Sequence, residues 1–237
     1  MLILGLETST SRSSVALVDG DRVVASASLG VDRRHGEFVA PAIDFCLRQA
    51  GMSADRITGV AVGIGPGLFT GLRVGIATAQ AIAGTRHLPV VGMCSLDVLA
   101  FQVRHVRRLI CAVLDARRGE LFWAFYRSSP GGVQRQGDLR VGNVDTLEAE
   151  IAAQGSDVLA VGEGALAHRE QLANTDTAVA GLDVGWPDAA VLAELCVPRF
   201  VREDTQTPLQ LQPLYLRQAD AQIGWATRGR LRGGEGA

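Results

Sequence analysis

The chain has 237 residues, of which 47% are hydrophobic and 20% charged, and its formal net charge is −2. This length and composition predict a soluble folded protein with enough apolar side chains for one large core or two smaller lobes. The slightly negative charge argues against a surface built to coat nucleic acid, although all 23 basic residues are arginine.

The four cysteines, Cys46, Cys94, Cys111 and Cys196, lie far apart and match no zinc-binding or redox spacing. We expect them to be buried, reduced thiols, which are typical of a cytoplasmic protein. The N-terminal apolar run is interrupted by Glu7 and is too short for a signal peptide. No stretch approaches the length of a membrane span, so the sequence predicts a cytoplasmic protein that does not enter a membrane.

The first half of the chain predicts three strands followed by alternating helices and strands. The apolar run ends at Glu7, a Ser/Thr loop follows, and "SVALVDG" turns at Asp19-Gly20 into "RVVASASL". Buried strands are predicted over 57–65 and 88–93, and helices over 36–51, ending at Gly51, over 69–84, ending at Gly84, and over 95–103, with Ser95 as N-cap.

The second half begins with "RLICAVLDARRGELFWAFYR", in which an apolar strand ends at Asp115, a short loop follows and a second strand returns. This order repeats that of the N-terminus and predicts a duplicated βββαβα unit. Further strands are predicted over 133–142 and 157–165, and helices over 145–155 and 186–200, with Pro187 in the first turn of the last helix. The alternation predicts an α/β fold of two lobes, residues 1–105 and residues 106–237, the second ending in a polar tail.

The stretch "AVGIGPGLFTGLRVGIATAQAIAG", residues 61–84, is a glycine-rich loop that leads into a helix. Such loops often hold phosphate, but a Walker loop needs the spacing G-x-x-x-x-G-K-[ST]. Here Gly67 and Gly71 have the wrong spacing and no lysine follows them. We expect Gly65 and Gly67 to serve packing, through backbone angles that a β-carbon would forbid.

Five segments resemble the TsaB (YeaZ) family: "GIGPGLFTGLRVGIATAQAIA", "LETSTSRSSVAL", "VVGMCSLDVLA", "VLDARRGELFWAFY" and "PLYLR". The resemblance implies an actin/Hsp70/sugar-kinase-like (ASKHA) fold of two RNase H-like subdomains. It implies a part in the synthesis of threonylcarbamoyladenosine, the modified nucleoside beside the anticodon of tRNA. The implied role is that of a non-catalytic subunit that docks a TsaD-like transferase and cooperates with a TsaE-like ATPase. The residues of the signature loop are Gly65, Pro66, Gly67, Thr70 and Arg73.

The chain departs from the family pattern at two positions. The usual Ala-Lys pair is replaced by Ala79-Gln80, and the usual aspartate after the first strand is Glu7. Glu7 and Asp115 lie where active members of the superfamily hold magnesium and phosphate. We interpret both as remnants of nucleotide loops whose carboxylates accept hydrogen bonds from nearby N–H groups.

No motif in the sequence supplies a metal site or a nucleophile. The catalytic relative is expected to hold its metal with two histidines at positions i and i+4, whereas His35, His87, His105 and His168 are far apart. We expect His35 to be a cap or a surface residue. The sequence therefore predicts no catalytic residue and no bound cofactor in the isolated chain. The resemblance implies that ATP and metal are bound by the partner subunits.

The helix after the glycine loop is apolar nearly all round, which predicts burial on every side. Small residues recur every four positions at Gly71, Gly75 and Ala79, and Ile82 follows them. The preceding helix carries a stripe of Phe38, Ala42 and Phe45. We hypothesise that these two helices dock the transferase or a second copy of the chain, the alternative being packing within the monomer.

Three groups of arginines are candidates for contact with tRNA phosphates. They are Arg104, Arg107 and Arg108, then Arg117 and Arg118, then Arg228, Arg230 and Arg232. No aromatic residues are interleaved with them for base stacking, so we expect tRNA to be contacted indirectly. The alternative function is a stand-alone phosphotransferase of this fold or a peptidase, which the missing motifs disfavour.

Overall fold

The first sheet has five strands in the order β3-β2-β1-β4-β5. They are β1 (Leu2–Glu7), β2 (Ser13–Asp19), β3 (Arg22–Leu29), β4 (Ile57–Gly65) and β5 (Val90–Cys94). This computed structural model describes residues 1–31, 34–175 and 177–216. Strands β1, β2 and β3 are antiparallel, whereas β4 and β5 lie parallel to β1. The associated helices are α1 (His35–Gln49), α2 (Phe69–Arg86) and α3 (Ser95–Gln102), with a 3₁₀ turn at Ala54–Arg56.

The second sheet repeats this arrangement, in the order β8-β7-β6-β9-β10. Its strands are β6 (Leu109–Arg117), β7 (Glu120–Ser129), β8 (Gly132–Gly142), β9 (Val158–Val161) and β10 (Ala178–Val179). The helices are α4 (Val144–Ala153), α5 (Glu163–Ala167), α6 (Arg169–Ala173) and α7 (Ala189–Val201), and two 3₁₀ turns lie at Leu182–Val184 and Pro208–Gln210. Again three antiparallel strands precede two parallel ones, which confirms the α/β class and the repeated unit.

Helix α7 packs against the first sheet, although the predicted division places it in the second lobe. Its apolar face and the side chains of alternate strand positions form one core cluster, which includes Ile3, Val18, Ala61, Val91, Leu192, Ala193, Cys196 and Phe200. The chain then runs along the first sheet, where Gln206 pairs with Val90 of the edge strand β5. We call residues 203–216 the C-terminal strap. The first sheet is therefore covered by α1 and α2 on one face and by α7 on the other.

Two helix ends differ from the sequence prediction and one agrees with it. Helix α1 ends before Gly51, whose φ of +62° and N–H bond to the Arg48 carbonyl fit the predicted terminating role. Helix α2 continues through Gly84 and stops at His87, which adopts the left-handed conformation. Pro187 precedes α7, whose N-cap is Asp188, with its carboxylate accepting from the Ala190 N–H.

The four cysteines are buried and unpaired, as predicted. Burial raises the pKa of the Cys94 and Cys196 thiols to about 12, so both are protonated at neutral pH. Among the described residues, no helix combines the length and the apolar character needed to cross a membrane.

Candidate functional site

The small-residue face of α2 points into the first lobe rather than outward. A methyl group added to Gly71 would overlap the Thr8 carbonyl oxygen, and one added to Gly75 would overlap the Thr8 hydroxyl. Ala79 is fully buried in the core. Gly71, Gly75 and Ala79 therefore allow α2 to approach the β1–β2 loop closely, and they form no surface for a partner. This corrects their predicted place in the docking interface.

His35 is a buried structural residue at the start of α1, not the predicted cap or surface residue. Its Nδ1 lies 2.7 Å from the Ser13 hydroxyl, and its ring lies beside Gly71. The Thr8 hydroxyl donates a 2.8 Å hydrogen bond to the Gly71 carbonyl. These contacts hold both α1 and α2 on the loop between β1 and β2.

The outward face of α1 carries exposed apolar side chains. A groove of about 430 Å³ lies between α1 and β3 and is lined by Phe38, Pro41, Ala42 and Phe45, with Ala27, Leu29, Arg34 and Glu37. Phe45 is 46% exposed, and Ala42 is buried. The predicted stripe of Phe38, Ala42 and Phe45 thus borders one apolar depression, the α1–β3 groove. On α2, Ile82 is half-buried against the core.

Glu7 is fully buried at the end of β1. Its Oε1 accepts a 2.8 Å hydrogen bond from the Ser9 N–H, and its Oε2 accepts from the Ser95 hydroxyl at 3.3 Å. Burial raises the pKa of this carboxyl, while the hydrogen bonds from Ser9 and Ser95 oppose that rise. Ser95 therefore does not cap α3 as predicted, because its hydroxyl is directed to Glu7.

Asp115 occupies the equivalent place in the second lobe and makes the same local contact. Its Oδ1 accepts a 2.7 Å hydrogen bond from the Arg117 N–H, and its Oδ2 lies 3.4 Å from the Arg117 guanidinium. Each acid thus binds the N–H two residues further along its own loop, as the sequence led us to expect. The two pairs differ in environment, because Glu7 is sealed in the core whereas the Asp115 side chain is 36% exposed.

The loop after β1 does not fit a phosphate group. The Ser9 N–H is already bound by Glu7, and the Ser9 carbonyl accepts a 2.6 Å hydrogen bond from the Leu68 N–H. Within the part of the chain that the structure describes, no three His, Cys, Asp or Glu side chains gather in a way that could hold a metal ion. No step through a nucleotide follows from these residues.

The glycine loop has two different reasons for its glycines. Gly65 has a φ of +101°, as predicted for a residue that needs freedom from a β-carbon. Gly67 is required instead by close approach, since an added methyl group would overlap the Ser9 carbonyl. Thr70 and Arg73 are exposed at the start of α2, and Pro66 is buried.

Gln80, which replaces the usual lysine, fastens the C-terminal strap. Its amide nitrogen donates to the carbonyls of Pro208 at 3.1 Å and Leu211 at 3.3 Å. The side chain of Gln80 therefore links α2 to the strap.

A polar bridge joins the two lobes, and sequence reasoning missed it. Glu163, at the start of α5, accepts hydrogen bonds from the Ser11 hydroxyl at 2.9 Å and from the Trp186 indole N–H at 2.8 Å. Ser11 lies 152 positions from Glu163, so no local pattern indicates the pair. Burial raises the pKa of Glu163, and these two hydrogen bonds oppose the rise.

Comparison with known proteins identifies a family and a fold that match this chain. Residues 30–225 match the family model described as TsaD: tRNA N6-adenosine threonylcarbamoyltransferase. The tRNA threonylcarbamoyladenosine biosynthesis protein TsaB of Haemophilus influenzae is 29% identical over 226 residues, covering 92% of this chain and 94% of its own. YeaZ from Pseudomonas aeruginosa superimposes with a TM-score of 0.76 at 26% identity, covering 91% of this chain and 99% of that chain. The activator of the 2-hydroxyisocaproyl-CoA dehydratase from Clostridium difficile, at 11% identity and a TM-score of 0.51, covers 91% of this chain and 100% of that chain and shows the fold alone. The predicted ASKHA fold is confirmed.

Proposed function

The chain belongs to the TsaB (YeaZ) family, and from that membership we propose that it is a docking subunit without a catalytic site of its own. The chain takes part in tRNA threonylcarbamoyladenosine biosynthesis. Its proposed partners are a TsaD-like transferase, bound as a heterodimer, and a TsaE-like ATPase, all in the cytoplasm. ATP and metal belong to those partners. The alternative partner is a second copy of this chain, which would dock through the outward sides of α1 and α2.

The observation that carries the docking proposal is the exposed α1–β3 groove. Phe38, Pro41 and Phe45 line a depression on a helix whose inner side is already packed in the core. Fully burying one large apolar side chain contributes about 1.5–3 kcal/mol, so a groove of this kind favours a partner that covers it. Aromatic side chains at the centre of an interface commonly supply much of its binding energy.

The contacts of Glu7 and Asp115 support a role in which this chain supplies no catalytic group. Glu7 is inaccessible, and both Glu7 and Asp115 hold N–H groups of their own loops. A phosphotransferase needs carboxylates that face a nucleotide or its metal, and a peptidase needs an activated nucleophile. The contacts of Glu7 and Asp115 therefore favour neither a phosphotransferase nor a peptidase.

The test is a substitution on the groove with a matched control elsewhere. We expect Phe45→Arg to abolish association with the TsaD-like subunit, measured by light scattering, because a desolvated charge in an apolar interface costs several kcal/mol. Leu182→Arg, at an exposed position in the second lobe, serves as the control and should leave association intact. Leu182→Arg should keep the wild-type melting temperature, and Phe45→Arg, at a side chain that is 46% exposed, should still give a cooperatively folded protein.

Two results would contradict the proposal. One is full association of Phe45→Arg with the transferase. The other is a loss of tRNA modification of about a thousandfold from Asp115→Asn in an assembled complex, which is the size expected of a catalytic group.

A further inference from the structure

Two aromatic side chains and an arginine form an exposed stack where α2 begins. The rings of Phe69 and Tyr215 lie 5.4 Å apart, centroid to centroid, with 28° between their planes. The Arg73 guanidinium carbon lies 3.8 Å from the Phe69 ring centroid, and Arg73 Nε donates to the Tyr215 hydroxyl at 3.5 Å. We call these three residues the aromatic stack. Arg73 and Tyr215 are 142 positions apart, so the fold brings them together and no local sequence pattern predicts the stack.

The C-terminal strap is held by several contacts besides the aromatic stack. Leu211 is buried, the Leu214 N–H donates a 2.7 Å hydrogen bond to the Ile64 carbonyl, and the Gln80 amide binds two further strap carbonyls. Tyr215 nevertheless remains 42% exposed and Phe69 36% exposed. Two adjacent aromatic side chains that remain this exposed form a continuous apolar patch, a feature that marks many binding sites.

The charge around the stack favours an anionic partner. Among residues 1–31, 34–175 and 177–216, no carboxylate pairs with Arg73, whereas Arg104, Arg135 and Arg199 each have a carboxylate at 2.7–2.9 Å. The first turn of α2 contains no acid. An aromatic face beside an unneutralised guanidinium is suited to a nucleobase with its phosphate, because the base stacks on the ring and the cation binds the phosphate.

We propose that the aromatic stack binds an unpaired nucleobase of RNA, on the exposed surface of Tyr215, with Arg73 contacting the adjoining phosphate. The inference rests on the proposed function, because the RNA is the tRNA that the assembly modifies. It replaces the expectation of indirect contact, because this subunit then contacts the tRNA directly. An RNA partner fits better than a protein one, because the α1–β3 groove already offers a separate apolar surface and the stack adds a cation to its π face.

The experiment measures RNA binding by fluorescence anisotropy, with the full chain alone and with the chain assembled with its transferase. The probes are a labelled anticodon stem–loop, which has unpaired bases, and a blunt duplex of the same length. Tyr215→Ala should weaken stem–loop binding by about 5- to 150-fold, the range for losing one base stack. Tyr215→Phe should retain most of the affinity, because the ring face remains, and Leu182→Ala is the control.

Arg73 is tested by salt dependence. Arg73→Gln should reduce the slope of log affinity against log salt by about one, as expected for one lost phosphate contact. Should Tyr215→Ala melt at a lower temperature, Tyr215→Leu, which keeps apolar contact with Phe69 without an aromatic face, decides in its place.

The inference is overturned if the wild type and the Tyr215 variants bind the stem–loop equally, including the case in which none binds. It is also overturned if Tyr215→Ala abolishes assembly with the transferase while RNA affinity is unchanged, because the stack would then dock a protein. Failure of the proposed function is a separate result, since Phe45→Arg tests assembly at a different surface.

Discussion

Replacing Gly71 by alanine separates core packing from docking in α2, with Gly84→Ala in the same helix as its matched control. A methyl at Gly71 would overlap the Thr8 carbonyl oxygen, a backbone atom that cannot rotate away, whereas a methyl at Gly84 meets nothing within 4 Å. Both changes gain helix propensity of up to about 1 kcal/mol, which cancels in the comparison. The remaining difference is the overpacking cost, about 1–3 kcal/mol, with Gly71→Ala the less stable.

Urea unfolding followed by circular dichroism measures this difference directly, provided that the two variants share one denaturant slope. Gly84→Ala should be slightly more stable than the wild type. If Gly71→Ala is as stable as Gly84→Ala, the inward packing of α2 is refuted. If Gly71→Ala is stable yet fails to bind the transferase, the small-residue face belongs to the interface after all.

Two further predictions concern buried carboxylates. The raised pKa of Glu7 means that the folded state keeps a proton which the unfolded state has released, so stability should fall as pH rises from the ordinary glutamate value through the folded value. Glu7→Gln should remove this fall, so that the urea midpoint changes less with pH over the same range. If the midpoint falls as steeply in the variant as in the wild type, the reasoning is contradicted. Glu163→Ala removes the acceptor of Ser11 and Trp186 and should speed hydrogen exchange in residues 8–13, with unaltered exchange as the contrary result.

The order of strands and helices was predictable because it depends on local patterns. The apolar runs, the Asp19-Gly20 turn and the terminating Gly51 each act over a few residues. The end of α2 was not predictable in the same way. Gly84 lies exposed within the helix, where glycine is tolerated at a cost of up to about 1 kcal/mol. The helix ends instead at His87, which adopts the left-handed conformation.

The site was predictable only in part, because a helix that is apolar all round does not reveal which side faces inward. The sequence selected the α1 stripe of Phe38, Ala42 and Phe45, which borders the groove, although Ala42 is buried. For α2 the same reasoning selected Gly71, Gly75 and Ala79, whose direction depends on Thr8 and the β1–β2 loop. The Glu163 bridge and the aromatic stack join residues more than a hundred positions apart, beyond any local pattern.

The glycines of α2 and the apolar groove of α1 are linked through a single anchoring loop. Thr8 bonds to the Gly71 carbonyl, and His35, the first residue of α1, bonds to Ser13 and packs beside Gly71. Close approach of α2 therefore fixes where α1 starts, and so fixes the outward position of Phe45. In the proposed assembly, we expect the glycines of α2 to act through the placement of the helices and Phe45 to act at the surface itself. Substitutions of the first kind should lower stability and assembly together, and those of the second kind should lower assembly alone.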